Sequence, residues 1–292
     1  MQTSPICHVC QADATTLWGT KDSYDLYRCQ ACDLIFVSPL PSQTTTLYNK
    51  SYFYGAKEGF GYVDYERDKE PMRSAFLKYL DEIEKIIPAR GTMLDLGAAT
   101  GFFLDLARQR GWKTQGVEIS DYAASLARAK GISVATGIVE EQNIPANSLD
   151  VVTAWDVIEH VPNPNATLQY IQKILKPGGV LAINTPHGGS ALSRILKTHW
   201  HLVVPPEHLY FFSPYTMKKI LPSLGFEVMM HKKIGKKFTL PYILQMLGNW
   251  WKSPAIVKLA DRTQASQLNK IAIPINLYDN FFLIARKKPE IS

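Results

Sequence analysis

From residue 92 onward, short apolar runs alternate with stretches in which apolar residues recur every three or four positions. The runs TMLDLG, KTQGVEIS and ISVATG read as strands, and FFLDLARQRG and DYAASLARAKG between them read as amphipathic helices. The turn IPANS follows, then the apolar run LDVVTAWDVIEHV, a helix over 166–175, the turn KPGG and the strand VLAINTP. Ahead of this series, Phe76, Leu80, Ile83 and Ile87 mark one face of a helix that begins near Glu70 and that Pro88 ends. Strands separated by helical segments predict right-handed crossovers and an α/β fold with a doubly wound, mostly parallel sheet. The closing run KIAIPINLYDNFFLIARKK reads as two strands completing the sheet edge.

The beginning of the chain follows another pattern. All four cysteines lie there, as Cys7-x-x-Cys10 and Cys29-x-x-Cys32 with a hairpin-length segment between the pairs. Each pair can form a knuckle offering two thiolates, and two knuckles close a tetrahedron around structural zinc. Two local disulfides suit a reducing cytosol poorly, and a redox pair normally comes as one CxxC beside a helix. A four-thiolate site has no open position, so this metal is expected to stabilise rather than catalyse. Next comes a stretch dense in aromatics, Tyr48, Tyr52, Phe53, Tyr54, Phe60, Tyr62 and Tyr65, broken by Gly55, Gly59 and Gly61. It reads as loop and short helix, either packing between ribbon and core or covering a pocket. The resulting organisation is a ribbon over 1–40, an aromatic linker or lid over 41–70 and a core over 71–292.

Composition changes this picture little. With 292 residues, 46% hydrophobic and 20% charged, the chain is ordinary for a globular protein, which argues against disorder and fibre. The opening MQTSPICHVC has no basic region leading into an apolar core, so no secretory signal is expected and the expected setting is cytoplasmic. Residues 238–251 are too short to span a bilayer and contain Pro241, Gln245 and Asn249. The net charge of +6 favours anionic partners, although its one cluster, KKIGKK at 232–237, is modest. The apolar segment FTLPYILQMLGNWWKSPAIVKLA is expected to pack on the core; covering the site, pairing two subunits or touching a membrane surface are the alternatives.

Ligands of a doubly wound sheet sit at the carboxyl ends of its strands. At one such end lies Asp95-Leu96-Gly97-Ala98-Ala99-Thr100-Gly101. Its glycines do not fit the G-x-G-x-x-G of dinucleotide binding, and no Gly-Lys-Ser/Thr follows as in a phosphate loop. An acidic residue, a small-residue turn and a helix N-terminus would suit a ligand bearing both ammonium and carboxylate. Glu118, closing the next strand, is placed to accept hydrogen bonds from a ribose diol.

Residues 95–101 resemble the D-x-G-x-G-x-G motif of class I S-adenosylmethionine-dependent methyltransferases, with Ala99 in place of the middle glycine. The resemblance continues through Glu118, Val139 and Glu140, DVVTAWDVIEH at 150–160 and LKPGGVL at 175–181, and covers roughly residues 70 to 230. Together with PEHLYFFS at 206–213, the four-cysteine ribbon resembles a bacterial subgroup found among sugar and secondary-metabolite methyltransferases. The family implies a Rossmann-like fold and S-adenosylmethionine as cofactor. By that resemblance Asp95 and the turn Gly97, Ala98, Ala99 and Gly101 would hold the methionine part, and Glu118 the ribose. Ile119 and Val139 would sandwich adenine, the backbone near Glu140 would read its edge, and Trp155 and Asp156 would lie beside the sulfonium and the substrate.

Methyl transfer from a sulfonium is an in-line displacement, so alignment dominates and a hydroxyl nucleophile gains from a base. His160, His187 and His208 lie near strand carboxyl ends. His208 follows Glu207, an acidic neighbour that would raise its pKa, and it is the expected base, with Glu207 and His160 as its companions. In the inserted stretch KTHWHLVVPP, His199 and His201 flank Trp200 and are expected to form a substrate wall, with no carboxylate spaced to complete a metal site. The expected activity is O-methylation of a small acceptor, sugar-type or another secondary metabolite, by a monomer or homodimer. The alternatives are an RNA methyltransferase, against which stands the lack of a long basic stripe, and a zinc-ribbon interaction protein that binds ligand without turnover.

Overall fold

The computed structural model describes residues 4–41 and 69–289. The aromatic residues 48–65, read above as linker or lid, lie outside the described residues. The chain opens with β1 (Thr15–Lys21) and β2 (Tyr24–Cys29), joined by Asp22 and Ser23 at φ 48° and 67°. Two left-handed residues give the turn the hand of the strands it joins. β3 (Ile35–Val37) pairs antiparallel with β2. α1 (Arg73–Ile86) follows and buries Phe76, Leu80 and Ile83 of the predicted stripe together with Ala75 and Tyr79, while Ile87 is its half-buried C-cap. Its end also follows the sequence: Ile87, placed before Pro88, leaves helical dihedrals at φ −121° and ψ 73°.

The expected alternation then appears as β4 (Thr92–Leu96), α2 (Phe102–Gln109), β5 (Lys113–Glu118), α3 (Asp121–Ala129), β6 (Val134–Thr136), β7 (Leu149–Trp155), α4 (Pro164–Ile174) and β8 (Leu175–Pro186). KPGG, expected as a turn, forms the irregular start of β8, where the register against β7 shifts between Leu149 and Val151. Beyond β8 come α5 (Ala191–Leu196), β9 (Tyr210–Phe211), α6 (Pro214–Ile220), β10 (Phe226–Lys232), β11 (Lys236–Thr239), α7 (Leu240–Trp250), α8 (Pro254–Gln264), β12 (Ala272–Ile275) and β13 (Asn280–Lys287).

The main sheet has the order β10-β13-β8-β7-β4-β5-β6. β8, β7, β4, β5 and β6 run parallel, and β13 and β10 add two antiparallel strands. The expected doubly wound, mostly parallel architecture is therefore present, with a correction at its edge. β13 lies inside the sheet, and its run FFLIA is buried throughout, the mark of a strand covered on both faces. β10, alternately exposed, takes the edge, while β12 leaves to pair with β11 in a separate ribbon. Pro274 in β12 removes a ladder donor and suits a two-stranded ribbon better than a sheet interior.

The N-terminal ribbon is not an appendage. β3 pairs with β9, so the order β1-β2-β3-β9 stitches it to a loop of the core. Cys7, Cys29, Leu34 and Phe36 share one apolar cluster with Leu96 and Leu181 of the main sheet. Under the carboxyl ends of the strands, Trp155 stacks on Tyr79 at 4.7 Å and Tyr79 on Phe282 at 4.8 Å, tying β7, α1 and β13 together. Among the described residues no helix is long and apolar enough to cross a membrane.

Candidate functional site

A cavity of about 760 Å³ opens at the carboxyl ends of β4, β5 and β7. The turn between β4 and α2 shapes its floor. Gly97 and Gly101 have φ of +68° and +79°, and a Cβ on them would come within 2.5 Å of Val157 and 2.6 Å of Ile132. Ala99 also adopts a left-handed conformation, φ 48°, which costs an L residue about 1–2 kcal/mol. A chain that accepts such a turn gains a close backbone approach to whatever lies above it.

Two carboxylates flank this turn. Asp95, 2% exposed, accepts a hydrogen bond of 2.5 Å from the Thr153 hydroxyl. Burial pushes its carboxyl up to about 8 despite that bond, and the nearby Glu118 adds to the rise. Glu118 accepts from the backbone N–H of Ala99 at 2.8 Å and of Ser120 at 2.9 Å, and burial raises it too. Among the described residues their hydrogen-bond partners are a hydroxyl and backbone amides rather than cationic side chains. Such a pair is matched by a ligand that brings positive charge.

Gly97, Ala99, Glu118, Ile119, Val139, Glu140, Trp155 and Asp156, all expected at the cofactor, line the cavity together. Asp95, Ala98 and Gly101, expected there too, are not among the lining residues. Ala98 is buried against Gly116, Gly101 begins α2, and Asp95 sits behind the turn it holds.

At the opposite end, the loop after β7 and the loop before β9 meet. The His160 and His208 rings pack edge to face at 4.7 Å. His160 Nδ1 donates to the Glu207 carbonyl at 2.8 Å, and His208 Nδ1 donates to the Leu202 carbonyl at 2.7 Å. The expected influence of Glu207 on His208 is not found; Glu207 gives its backbone carbonyl to His160 instead. Burial, with His160 beside it, lowers His208 to about 3, opposite to the expected direction. A ring so strongly neutral offers a lone pair but is a weak proton acceptor. Below the rings, Glu159 is fully buried, and burial with Asp156 nearby raises its carboxyl well above the usual range.

Asp156 is bonded by Lys236 Nζ at 2.8 Å and by Asn184 Nδ2 at 2.6 Å. Burial works against its charge, but Lys236 and Lys69 hold it below the usual carboxylate value. Lys236 belongs to the KKIGKK cluster, which therefore serves internal pairing as well as the surface; Lys232 likewise binds Glu82 at 2.7 Å. His187 lies off the cavity, its Nδ1 accepting from the Gly189 N–H at 3.1 Å. The inserted stretch divides: His201 and Leu202 line the cavity, while Trp200 turns into the core and bonds Asp279 at 3.3 Å. Phe238, Tyr242, Ile243 and Met246 supply an apolar wall from β11 and α7.

Sequence reasoning passed over Glu159, Lys236 and Asn184, and it held covering the site only as an alternative for the segment that supplies this apolar wall. One signal for Glu159 was available: the dipeptide Glu-His occurs at both 159–160 and 207–208, and the two copies converge. Lys236 carries no comparable local signal, because its partner lies eighty positions away.

The four cysteines form a separate cluster. Cys7 and Cys32 sulfurs are 3.8 Å apart, those of Cys10 and Cys29 are 3.5 Å apart, and all four lie within 4.8 Å of one another. A tetrahedron with metal–sulfur bonds of about 2.3 Å has sulfur–sulfur edges of about 3.8 Å, so the donor set fits a four-coordinate zinc ion.

A family model for a methyltransferase domain matches residues 66–231, more than half of the chain. A ubiquinone biosynthesis O-methyltransferase from Azoarcus sp. (strain BH72) is 30% identical over 129 residues, covering 42% of this chain and 53% of that protein. Its namesake from Idiomarina loihiensis is 30% identical over 131 residues, covering 42% of this chain and 51% of that protein. The chain thus spans about half the length of the curated relatives it matches. Among solved structures, a SAM-dependent methyltransferase from Thermotoga maritima aligns with a TM-score of 0.51 at 22% identity, over 77% of this chain and 94% of that one. The YcgJ protein of Bacillus subtilis aligns with a TM-score of 0.52 at 14% identity, over 73% and 99%. At these identities the structural likeness establishes the fold.

Proposed function

Because the chain belongs to the methyltransferase-domain family, we propose that it transfers a methyl group from S-adenosylmethionine to a hydroxyl oxygen of a small metabolite, sugar-type or other. One observation carries this reading: two buried carboxylates, Asp95 and Glu118, flank a glycine-shaped turn at one end of a cavity whose other end holds His160 and His208. The residues present fit the cofactor. Glu118 reaches the cavity as an acceptor for two hydroxyls, Ile119 and Val139 flank a slot for a flat ring, and the carboxylates favour a cationic ligand. Bound there, S-adenosylmethionine supplies an electrophilic methyl on a sulfonium.

The protein's own work is alignment and exclusion of water. Trp155 and Asp156 form the ground between the two ends of the cavity, and Lys236 and Asn184 fix the Asp156 carboxylate. The acceptor's reactive hydroxyl lies toward His208 and His160, and its apolar part lies against Phe238, Tyr242, Ile243 and Met246. The four-cysteine cluster takes a structural zinc ion, and β9 transmits the ribbon's position to the loop carrying His208. Relatives named for O-methyl transfer support oxygen as the atom modified.

Calorimetric titration with S-adenosylhomocysteine, beside NAD, tests the reading. Micromolar binding of the first alone is expected; failure to bind it removes the proposal. Elemental analysis under reducing conditions is expected to find zinc, and Cys32→Ser is expected to lose it.

A further inference from the structure

Resting on the reading of the cavity as the place of methyl transfer, we infer that its rim at His187, Arg194 and Lys233 is a phosphate-binding subsite. The acceptor is then a phosphate ester, whose phosphoryl group docks on the rim while its reactive hydroxyl lies inside the cavity.

Sheet register brings these residues together. β13 lies between β8 and β10 and pairs Asn280 with Pro186 and Phe282 with Lys232. His187 follows Pro186 and Lys233 follows Lys232, so both emerge at one end of the sheet, on either side of the start of β13. That end is the mouth of the cavity: Pro186, Ile234, Leu277 and Asp279, neighbours in sequence of His187, Lys233 and Tyr278, all line it. Arg194 stands exposed on α5, the helix that follows β8 by way of His187. Tyr278, 57% exposed and left-handed at φ 58°, places its ring centroid 5.2 Å from Lys233 Nζ.

The positive charge of this rim lacks a counterpart. Within KKIGKK, Lys232 is paired with Glu82 and Lys236 with Asp156. Among the described residues neither Lys233 nor Arg194 has a carboxylate within ion-pair reach. Burial, then Lys233, Arg194 and His231, lower the half-buried His187 to about 4, so basic groups press on this ring from α5, from β10 and from the loop after it. His231 is lowered in turn by burial and by Lys218 and Lys233. Asp279, which opposes the shift of His187, is already bonded by Trp200 Nε1 at 3.3 Å and lies 3.4 Å from His201 Nε2. Like charges gathered without a counter-ion repel one another, and a bound anion turns that repulsion into affinity.

Donor geometry selects the anion. His187 Nδ1 accepts from the Gly189 N–H at 3.1 Å, which places the imidazole proton on Nε2 and makes that nitrogen a donor. Arg194 adds a planar fork and Lys233 a compact point charge. Donors from three separate segments match the three terminal oxygens of a phosphate monoester better than the two oxygens of a carboxylate. The Tyr278 ring beside them gives an apolar face to the group that carries the phosphate. Binding energy made on the rim also holds the reacting end of the acceptor in place within the cavity.

Calorimetry with inorganic pyrophosphate tests the subsite, with S-adenosylhomocysteine saturating so that the cofactor's proposed place is filled. Wild type is expected to bind pyrophosphate with a Kd of about 0.1–1 mM, and Arg194→Ala/Lys233→Ala to bind it at least about tenfold more weakly. The control Lys113→Ala/Lys173→Ala removes two exposed lysines near the amino ends of β5 and β8, at the opposite end of the sheet, and is expected to stay within about twofold of wild type. UDP and farnesyl phosphate, titrated in parallel, separate a nucleoside carrier from a lipid one. The true carrier is expected to bind at least about tenfold more tightly than pyrophosphate and to lose that affinity in Arg194→Ala/Lys233→Ala. Absence of pyrophosphate binding, equal affinity for malonate, or an equal loss in both double variants overturns the inference. S-adenosylhomocysteine binding without that of pyrophosphate removes this subsite and leaves the cofactor reading standing; pyrophosphate binding without that of S-adenosylhomocysteine does the reverse.

Discussion

At the end of the cavity proposed for the cofactor, Gly97, Ala99 and Glu118 come from two successive strand-to-helix turns, each shaped by its own residues. At the end proposed for the acceptor, His160, His208, Lys236 and Tyr242 come from four segments spread along more than eighty positions. The first end is held by local backbone geometry, the second by tertiary pairing such as β3 with β9 and Lys236 with Asp156. Damage at the floor should therefore weaken cofactor binding, and damage at the far wall should weaken turnover while leaving the cofactor in place.

The sharpest way to break this division is His208→Ala. Turnover is expected to fall by about a hundredfold or more while affinity for S-adenosylhomocysteine stays within about twofold. Equal loss of both would mean that the two ends are one unit. Asp95→Asn keeps the shape beside Thr153 but removes the carboxyl that a cationic ligand would ionise. It is expected to lower affinity for the same ligand by about tenfold in calorimetry, with acceptor KM nearly unchanged.

The pH dependence of binding sharpens the same contrast with a smaller effect. The Asp95 carboxyl moves from 3.8 to about 8 on folding, so between those values the ligand-free protein binds more protons than the unfolded chain. The group's contribution to stability then declines as pH rises through that window. A cationic ligand favours the ionised form, so affinity should rise several-fold from about pH 6 to about pH 8, with proton release seen as a buffer-dependent binding enthalpy. In Asp95→Asn that rise should flatten. The smallest effect belongs to Phe238→Ala, expected to raise the KM of an apolar-bearing acceptor by about threefold to tenfold and to leave cofactor affinity alone.

The same contrast explains what could be read from the chain. The strand–turn–helix at 92–109, the acidic end of β5 and the stripe of α1 all follow from local periodicity and turn chemistry, and the structure has them where expected. The interior place of β13 was hidden because FFLIA is consistent with any buried strand, and only its pairing with β10 and β8 makes it central. The pKa of His208 was misjudged because Glu207 is adjacent in sequence, whereas burial and His160 decide the shift. Lys236 looked like one member of a surface cluster until β11 carried it to Asp156. Asp95 lies at the carboxyl end of β4 as expected, but its side chain bonds Thr153 and does not line the cavity.

The two residues of β9 have a consequence for how this protein can change over generations. Tyr210 and Phe211 pair with Phe36 and Ile35, immediately after the loop that carries His208. A lineage that discarded the ribbon would leave an open strand edge and a bared apolar seam, and would unfasten that loop as well. The N-terminal segment and residues 204–213 are thus one packing unit, and grafting either onto another core requires carrying the other with it.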